Sequence, residues 1–424
     1  MKILFIIPGS GDSFYCGNCF RDNLQASALR QAGHDVVIMP LYLPLQQKSF
    51  QADTPLFFPA TTYYTEQKFF HNKRMPNWLQ RITGSKTALK IASAMAGATS
   101  AKGMEQMTHS MITGNDPAFK KNVQAIVDWI RDYEKPDVIH ISSSMLLGIA
   151  KTLRQHFTTP IVCSVQDEEV WIDTLKEKDA DIAWQGIAEN AHYVDKFVTT
   201  SHFYRDMVQK RVPQLTDIEV IYPGIDREKY ASKQYPTHPT IGFFYRMNHL
   251  NGLDILAEAF VLLKKRNTIP HLKLCVGGGY SAHDKQFLSG VRKTLAPYKH
   301  DVTIDETYNL EEHGTFYEKI SVISAPLRFN EGVGLYLCEA FAAGRPAVVP
   351  TAGSFPEIVG DAGILYSPNE APALADALEK ILTNDELYQQ KAKAANSLSV
   401  NRYSWQSTAE KLENLYNKTT ITNN

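Results

Sequence analysis

Short, almost unbroken apolar runs alternate with amphipathic stretches along most of the chain. The first run is Lys2-Ile3-Leu4-Phe5-Ile6-Ile7-Pro8, and a glycine-bearing loop carries it to Gly17. Residues 18–32 then place Leu24, Ala28 and Leu29 on one helical face, with Gly33 positioned to end the helix and Val36-Val37-Ile38-Met39 supplying a second run. A strand buried on both faces reads as a continuous apolar segment, because neither side meets water. The pattern therefore predicts strand, crossover helix and parallel strand. It recurs around Asp137-Val138-Ile139-His140-Ile141, Pro160-Ile161-Val162-Cys163-Ser164-Val165 and Lys196-Phe197-Val198-Thr199-Thr200. Repetition of this unit makes an α/β, doubly wound parallel sheet.

The cycle begins again after Tyr222-Pro223-Gly224-Ile225-Asp226 and the polar stretch 232–239, which reads as a linker. Strands are predicted at 240–245, 272–276, 302–304, 321–324 and 346–349. An amphipathic helix is predicted at 254–266, a tight turn at Gly277-Gly278-Gly279, and a further helix opening at Gly332. The expectation is two domains, 1–226 and 238–404, followed by a last helix over 405–418. Ligand is expected outside the carboxyl ends of both sheets.

Between about residues 45 and 120 the alternation breaks. This segment carries Thr61-Thr62-Tyr63-Tyr64, Phe69-Phe70, Lys73, Arg74, Trp78, Arg81, Lys86 and Lys90, with hardly an acid among them. A stretch of this length inside a strand-helix repeat reads as an insertion shaping one wall of a cleft or one face of its domain. Its basic and aromatic mixture would suit peripheral contact with anionic lipid headgroups at the inner face of a membrane. As a helical hairpin packed on its own domain, it would leave the same cations in water.

Composition narrows the classes. A chain of 424 residues suffices for two cores, and a net charge of -1 exerts no global pull toward nucleic acid. No apolar run approaches the roughly 18 residues of a membrane span. The first run lacks a small-residue cleavage site and leads directly into a loop, so it reads as a buried strand and not a signal peptide. The five cysteines are Cys16, Cys19, Cys163, Cys275 and Cys338. An odd count, with three in apparent core elements, points to a reducing cytoplasm. Cys16-Gly17-Asn18-Cys19 has redox spacing, but no second ligand pair suits zinc and the chain does not fit a small redox fold, so packing of a loop is expected.

The richest chemistry lies in Asn330-Glu331-Gly332-Val333-Gly334-Leu335-Tyr336-Leu337-Cys338-Glu339-Ala340. Glu331 sits in a glycine-rich turn whose amides are free to meet an anion, while Glu339 falls one to two turns into the apolar helix that follows. Open amides at a helix start favour phosphate, and a carboxylate deeper in the helix can accept from paired hydroxyls. Together with Ala343-Gly344-Arg345-Pro346-Ala347-Val348, this stretch resembles the donor-site signature of the retaining family 4 glycosyltransferases. Ala32-Gly33-His34-Asp35-Val36, Val220-Ile221-Tyr222-Pro223-Gly224-Ile225-Asp226 and Ala352-Gly353-Ser354-Phe355-Pro356-Glu357-Ile358-Val359 resemble further family segments in the right order.

The resemblance implies the GT-B fold, in which two Rossmann-like domains face each other across a cleft and the last helix crosses back to the first. It also implies transfer of a hexosyl group from a nucleotide diphosphate sugar to a sugar, lipid-linked or glycan acceptor. Neither a metal nor another cofactor is expected. Position by position, Gly17 would let backbone amides approach the donor diphosphate. Arg246 would pair with that diphosphate through its guanidinium fork. Glu331 would meet the donor sugar's hydroxyls near the reacting carbon, Glu339 the ribose hydroxyls, and the amides of Gly332, Val333 and Gly334 would add hydrogen bonds. His140, at the end of a strand, is a catalytic candidate if it faces the cleft; otherwise it is a buried, satisfied histidine. Gln166, Asp167 and Glu168 are placed to bind acceptor hydroxyls.

One position departs from the family. A lysine usually precedes the glycine of the turn after the arginine, and here that turn reads Arg246-Met247-Asn248-His249-Leu250-Asn251-Gly252. Asn251 thus stands where a second cation would clamp the diphosphate. Either His249, Lys264 or another base compensates, or the chain binds nucleotide sugar with little turnover. A two-domain dehydrogenase is disfavoured, because the first loop lacks Gly-x-Gly-x-x-Gly and Pro40, not an acid, follows Met39.

Overall fold

The computed structural model describes residues 1–9, 17–42, 53–54, 104–132, 135–231, 235–306 and 313–422. Cys16 and the rest of the loop 10–16, the basic and aromatic stretch 61–90, and linker residues 232–234 lie outside the described residues. The chain divides into two units. The first comprises Met1–Thr200, Tyr204–Ile221 and Ala409–Asn424, the second Ser201–Phe203 and Tyr222–Thr408.

The first unit holds six strands, β1 (Lys2–Ile7), β2 (Asp35–Pro40), β3 (Val138–Ile141), β4 (Ile161–Ser164), β5 (Lys196–Thr199) and β6 (Ile218–Val220), in the order β2-β1-β3-β4-β5-β6. Every neighbouring pair is parallel. Side chains alternate across the sheet with a period of two, and the core divides accordingly. Leu4, Ile6, Ile139, Ile141 and Cys163 face one cluster, while Ile3, Phe5, Ile7, Val138, Val162 and Val198 face another. The second cluster is closed by Ala26 and Leu29 of the helix Gly17–Gln31 and by Leu412, Leu415 and Tyr416 of the last helix, Trp405–Thr422. Those three recur at helical spacing, and burying each contributes roughly 2 kcal/mol. On the opposite face lie the helices Glu105–Thr113 and Pro117–Asp132, whose Met107, Met111, Ile112, Phe119, Val123 and Ile126 are core residues. The last part of the segment expected as an insertion therefore belongs to the core of its unit.

The second unit repeats the plan with β7 (Thr240–Phe244), β8 (Lys273–Gly277), β9 (Val302–Asp305), β10 (Val322–Ser324), β11 (Ala347–Pro350) and β12 (Gly363–Tyr366), ordered β12-β11-β10-β7-β8-β9. Again all pairs are parallel. The helix expected to open at Gly332 runs from Leu335 to Ala342. Gly334 precedes it in the left-handed region at φ 65°, so the glycine turn stays outside the helix. Strand order reverses between β1 and β3 in one sheet and between β7 and β10 in the other, and such reversals open a crevice at the carboxyl ends of the strands. Among the described residues, no helix is long and apolar enough to cross a membrane.

Candidate active site

In the second unit, Arg246 follows β7 and Glu331 follows β10, the two strands between which the order reverses. The chain leaves β7 still paired to the turn after β8: the Tyr245 amide donates to the Gly277 carbonyl at 3.2 Å and the Met247 amide to that of Gly279 at 2.8 Å. Gly278 sits at φ 141°, and a Cβ there would fall 2.1 Å from the Tyr245 carbonyl oxygen, so only glycine permits this approach. Arg246 Nη2 donates to Asp284 Oδ2 at 3.1 Å. Burial would raise the Asp284 carboxyl, but the Ser281 hydroxyl and amide and the Arg246 guanidinium hold it below its ordinary value.

The turn after Arg246 is tightly bonded. Asn251 donates through Nδ2 to the Arg246 carbonyl at 2.7 Å, and its own amide donates to Asn248 Oδ1 at 2.9 Å. At Gly252, φ is 72° and a Cβ would lie 1.9 Å from the Pro326 carbonyl oxygen. Arg328 donates its amide to the Leu250 carbonyl at 2.8 Å, and both its η nitrogens reach the Asp254 carboxylate at 2.8 Å. The turn behind Arg246 and the segment leading into Glu331 thus form one connected piece.

Glu331 is 4 % exposed. Its Oε1 accepts from the Val333 amide at 3.2 Å and its Oε2 from the Tyr245 hydroxyl at 3.3 Å. Burial pushes its carboxyl up, against the opposing pull of the Val333 and Gly334 amides, the Tyr245 hydroxyl and the Gly332 amide. The amides expected to stand open to a ligand are therefore turned on the Glu331 carboxylate. Its backbone is fixed too, the carbonyl accepting from the Ser354 amide at 2.9 Å.

Glu339 lies one turn into a helix that is buried throughout its length. Its Oε1 accepts from the Tyr230 hydroxyl at 3.1 Å and its Oε2 from the Tyr317 hydroxyl at 2.5 Å. The carboxylate expected to meet ribose hydroxyls is engaged by two phenols inside the unit, because an all-apolar helix offers it no wet face. Of the two bases expected to compensate for Asn251, Lys264 is paired with Asp301 at 2.8 Å near the far end of the helix Leu253–Arg266, about 16 Å along its axis from Leu253. His249 is exposed and lies 3.5 Å from Asp254.

The first unit gathers its own polar groups where β1, β3 and β4 end. The His140 ring is fully buried, with Nδ1 2.6 Å from the Tyr416 hydroxyl and Nε2 2.8 Å from Ser164 Oγ. Burial and the nearby Arg21 push its pKa down to about 3, so the imidazole stays neutral with both nitrogens occupied. That placement corrects the expectation of a catalytic histidine facing a cleft. Gln166 is buried, its Nε2 donating to the Ser142 carbonyl at 2.6 Å. Glu168, also buried, accepts from the Gln166 amide at 2.5 Å, the Ser144 amide at 3.1 Å and Ser143 Oγ at 3.2 Å. These two side chains brace loops and do not present themselves to an acceptor. Asp167, at φ 53°, is half-buried. Gly17 is the first residue of the helix Gly17–Gln31.

Sequence reasoning missed several participants. Arg21 and Asp22 form a buried ion pair at 3.0 Å, and burial lifts Asp22 to about 6 despite Arg21 and a hydrogen bond to Ser142. Adjacent positions on a helix give no pairing signal. Asp284, Tyr230 and Tyr317 are distant in sequence from the groups they hold, so only the fold reveals them.

Comparison with known proteins adds an independent line. A family model described as Glycosyltransferase Family 4 matches residues 110–229, and one described as Glycosyl transferases group 1 matches residues 238–384. The D-inositol 3-phosphate glycosyltransferase of Corynebacterium aurimucosum is 26 % identical over 66 % of this chain and 71 % of that protein. The chain spans between 46 and 61 % of the length of five further relatives with the same name from other corynebacteria. The glycogen synthase of Mycobacterium tuberculosis is 25 % identical over 66 % of this chain and 69 % of its own length. Among solved structures, sucrose-phosphate synthase from Thermosynechococcus elongatus superposes with a TM-score of 0.70 at 16 % identity, covering 100 % of both chains. HepE from Anabaena, in complex with UDP and glucose, gives 0.66 at 14 % identity, covering 99 % of this chain and 100 % of its own. At those identities the solved structures establish the fold, GT-B, with two Rossmann-like parallel-sheet units.

Proposed function

We propose that this chain, which belongs to the family 4 glycosyltransferases, transfers a hexosyl group from a nucleotide diphosphate sugar to an acceptor hydroxyl with retention of anomeric configuration. The observation that carries this reading is the placement of Arg246 and Glu331 behind the two strands where the second sheet reverses its order, with Tyr245 linking them. In this reading Arg246 exchanges its contact with Asp284 for the diphosphate, and its bidentate fork neutralises the charge that develops on the leaving group. Glu331, held by amides and a phenol, accepts from the donor sugar's hydroxyls. No side chain is assigned as a covalent nucleophile: the acceptor attacks the face that the phosphate leaves, and the departing oxygen takes its proton.

Uridine diphosphate is the first donor nucleotide to test, since HepE was solved with UDP and glucose. The acceptor class that fits the relatives' names is a polyol or glycan hydroxyl; a lipid-linked acceptor rests on the family resemblance alone. The test is a thermal-shift panel of uridine, guanosine and adenosine diphosphate sugars, because a ligand that binds only the folded chain raises its melting temperature. One member should stabilise the protein, and transfer from it should give a product whose anomeric configuration, assigned by NMR, matches the donor. No shift across the panel rejects the donor reading, and an inverted product rejects retention.

A further inference from the structure

We propose that Asn251 is a positioning residue for Arg246, and that a lysine at this position would weaken the site instead of completing it. The inference rests on the donor-site reading of the second unit. Asn251 is 4 % exposed, and its amide and its Nδ2 each donate a hydrogen bond. The Arg246 carbonyl receives two donors, Asn251 Nδ2 at 2.7 Å and the Asn248 amide at 3.0 Å, while Asn248 Oδ1 receives the Asn251 amide at 2.9 Å. Residues 246–251 therefore close on themselves, and the carbonyl that is locked is that of the arginine itself.

The surroundings leave no slack. Immediately after Asn251, Gly252 runs so close to Pro326 that a Cβ would fall 1.9 Å from the carbonyl oxygen. On the outer side, the Arg328 amide donates to the Leu250 carbonyl at 2.8 Å, and its guanidinium grips Asp254. A carboxamide fits this seat because it is short, planar and neutral. An ammonium on a four-carbon stem must either remain buried, where the groups bonded to Asn251 include no carboxylate, or swing outward and leave the Arg246 carbonyl with one donor fewer. Both outcomes loosen the turn that aims Arg246. Reading Asn251 as a missing cation predicts the opposite sign for the same substitution, so a single variant separates the two.

The experiment compares Asn251→Lys, Asn251→Asp and Asn248→Ala with the parent chain. Uridine diphosphate is the probe, measured by calorimetry, and amide hydrogen exchange is followed across 246–252 in the ligand-free protein. Each variant should bind about ten-fold more weakly or worse, and the amides of 247–252 should exchange faster while β1 to β6 keep their protection. Tighter binding by Asn251→Lys overturns the proposal. In an Arg246→Ala background, Asn248→Ala should cost no further affinity, since it acts through the arginine; a second loss of the same size overturns the positioning role. If Asn251→Lys does not fold, Asn248→Ala, which adds no charge, decides the matter. Failure of the parent chain to bind any of uridine, guanosine or adenosine diphosphate rejects the donor-site reading itself. The exchange measurement still judges Asn251: unchanged rates in all three variants overturn its role.

Discussion

Both sheets reverse their strand order beside their first strand, yet the polar groups gathered at the two reversals are handled differently. Among the described residues of the first unit, His140, Glu168 and the Arg21–Asp22 pair are buried and bonded to one another's neighbours through side chains. In the second unit the loops themselves are the scaffold. Gly252, Gly278, Gly334 and Gly353 all adopt positive φ, and at Gly252, Gly278 and Gly353 a Cβ would collide with backbone. Side chains that lock one another stabilise a unit but are spent in doing so. Backbones that lock one another hold Arg246 against Asp284, and Glu331 against the Val333 amide and the Tyr245 hydroxyl, at the reversal itself. The lesson is that glycine sets the backbone at the second reversal, where buried side chains brace the first.

The contrast can be tested by asking whether damage registers as lost stability or lost binding. Asp22→Ala should leave Arg21 buried without its carboxylate and cost roughly 3–5 kcal/mol in urea unfolding, while nucleotide affinity of the folded fraction is retained. Arg246→Ala should reverse that profile: transfer falls about a hundred- to a thousandfold, the equivalent of roughly 2.7–4 kcal/mol, with a melting temperature close to the parent's. Gly252→Ala combines the two, since the left-handed φ alone costs roughly 1–3 kcal/mol and the Cβ clash with the Pro326 carbonyl adds to it, so both melting temperature and nucleotide affinity should fall. A profile in which Asp22→Ala abolished nucleotide binding without destabilising the fold would dissolve the contrast.

The smallest effect concerns pH. Burial lifts Glu169 from 4.5 to about 7, against a hydrogen bond from Tyr204. The fold therefore favours the protonated acid: this contribution is complete below about 4.5 and is lost as pH rises through about 7. Glu169→Gln should leave the melting temperature at pH 4 unchanged and raise it by a few degrees, about 2–4 °C, at pH 8. A decrease at pH 8 would show that the carboxylate is stabilised where it lies.

Much of the architecture was legible because parallel strands buried on both faces leave continuous apolar runs, and β1, β4, β7 and β8 sit where those runs do. β6 escaped notice for the complementary reason: Ile218-Glu219-Val220 is a three-residue edge strand with a charge at its centre. Glu331 stood out because it lies in a glycine-rich turn, whereas Arg246 was picked out by the family resemblance alone. The partners of Glu339 were invisible, since Tyr230 and Tyr317 come from other elements. His140 misled because the end of a strand marks position along the sheet but not which side the ring takes. Asn251 read as the loss of a charge, whereas in the fold it is the gain of a carbonyl's donor.

The seam at the edge of the second unit has a practical consequence. Ile225 forms a parallel bridge with Ser404, its amide donating to the Tyr403 carbonyl at 2.7 Å and its carbonyl accepting from the Trp405 amide at 3.3 Å. The place where the chain enters this body is therefore stitched to the place where it leaves. A fragment spanning 222–408 would begin and end at one spot, which makes it a natural candidate for excision or circular permutation, and its two ends would hold each other without an added staple.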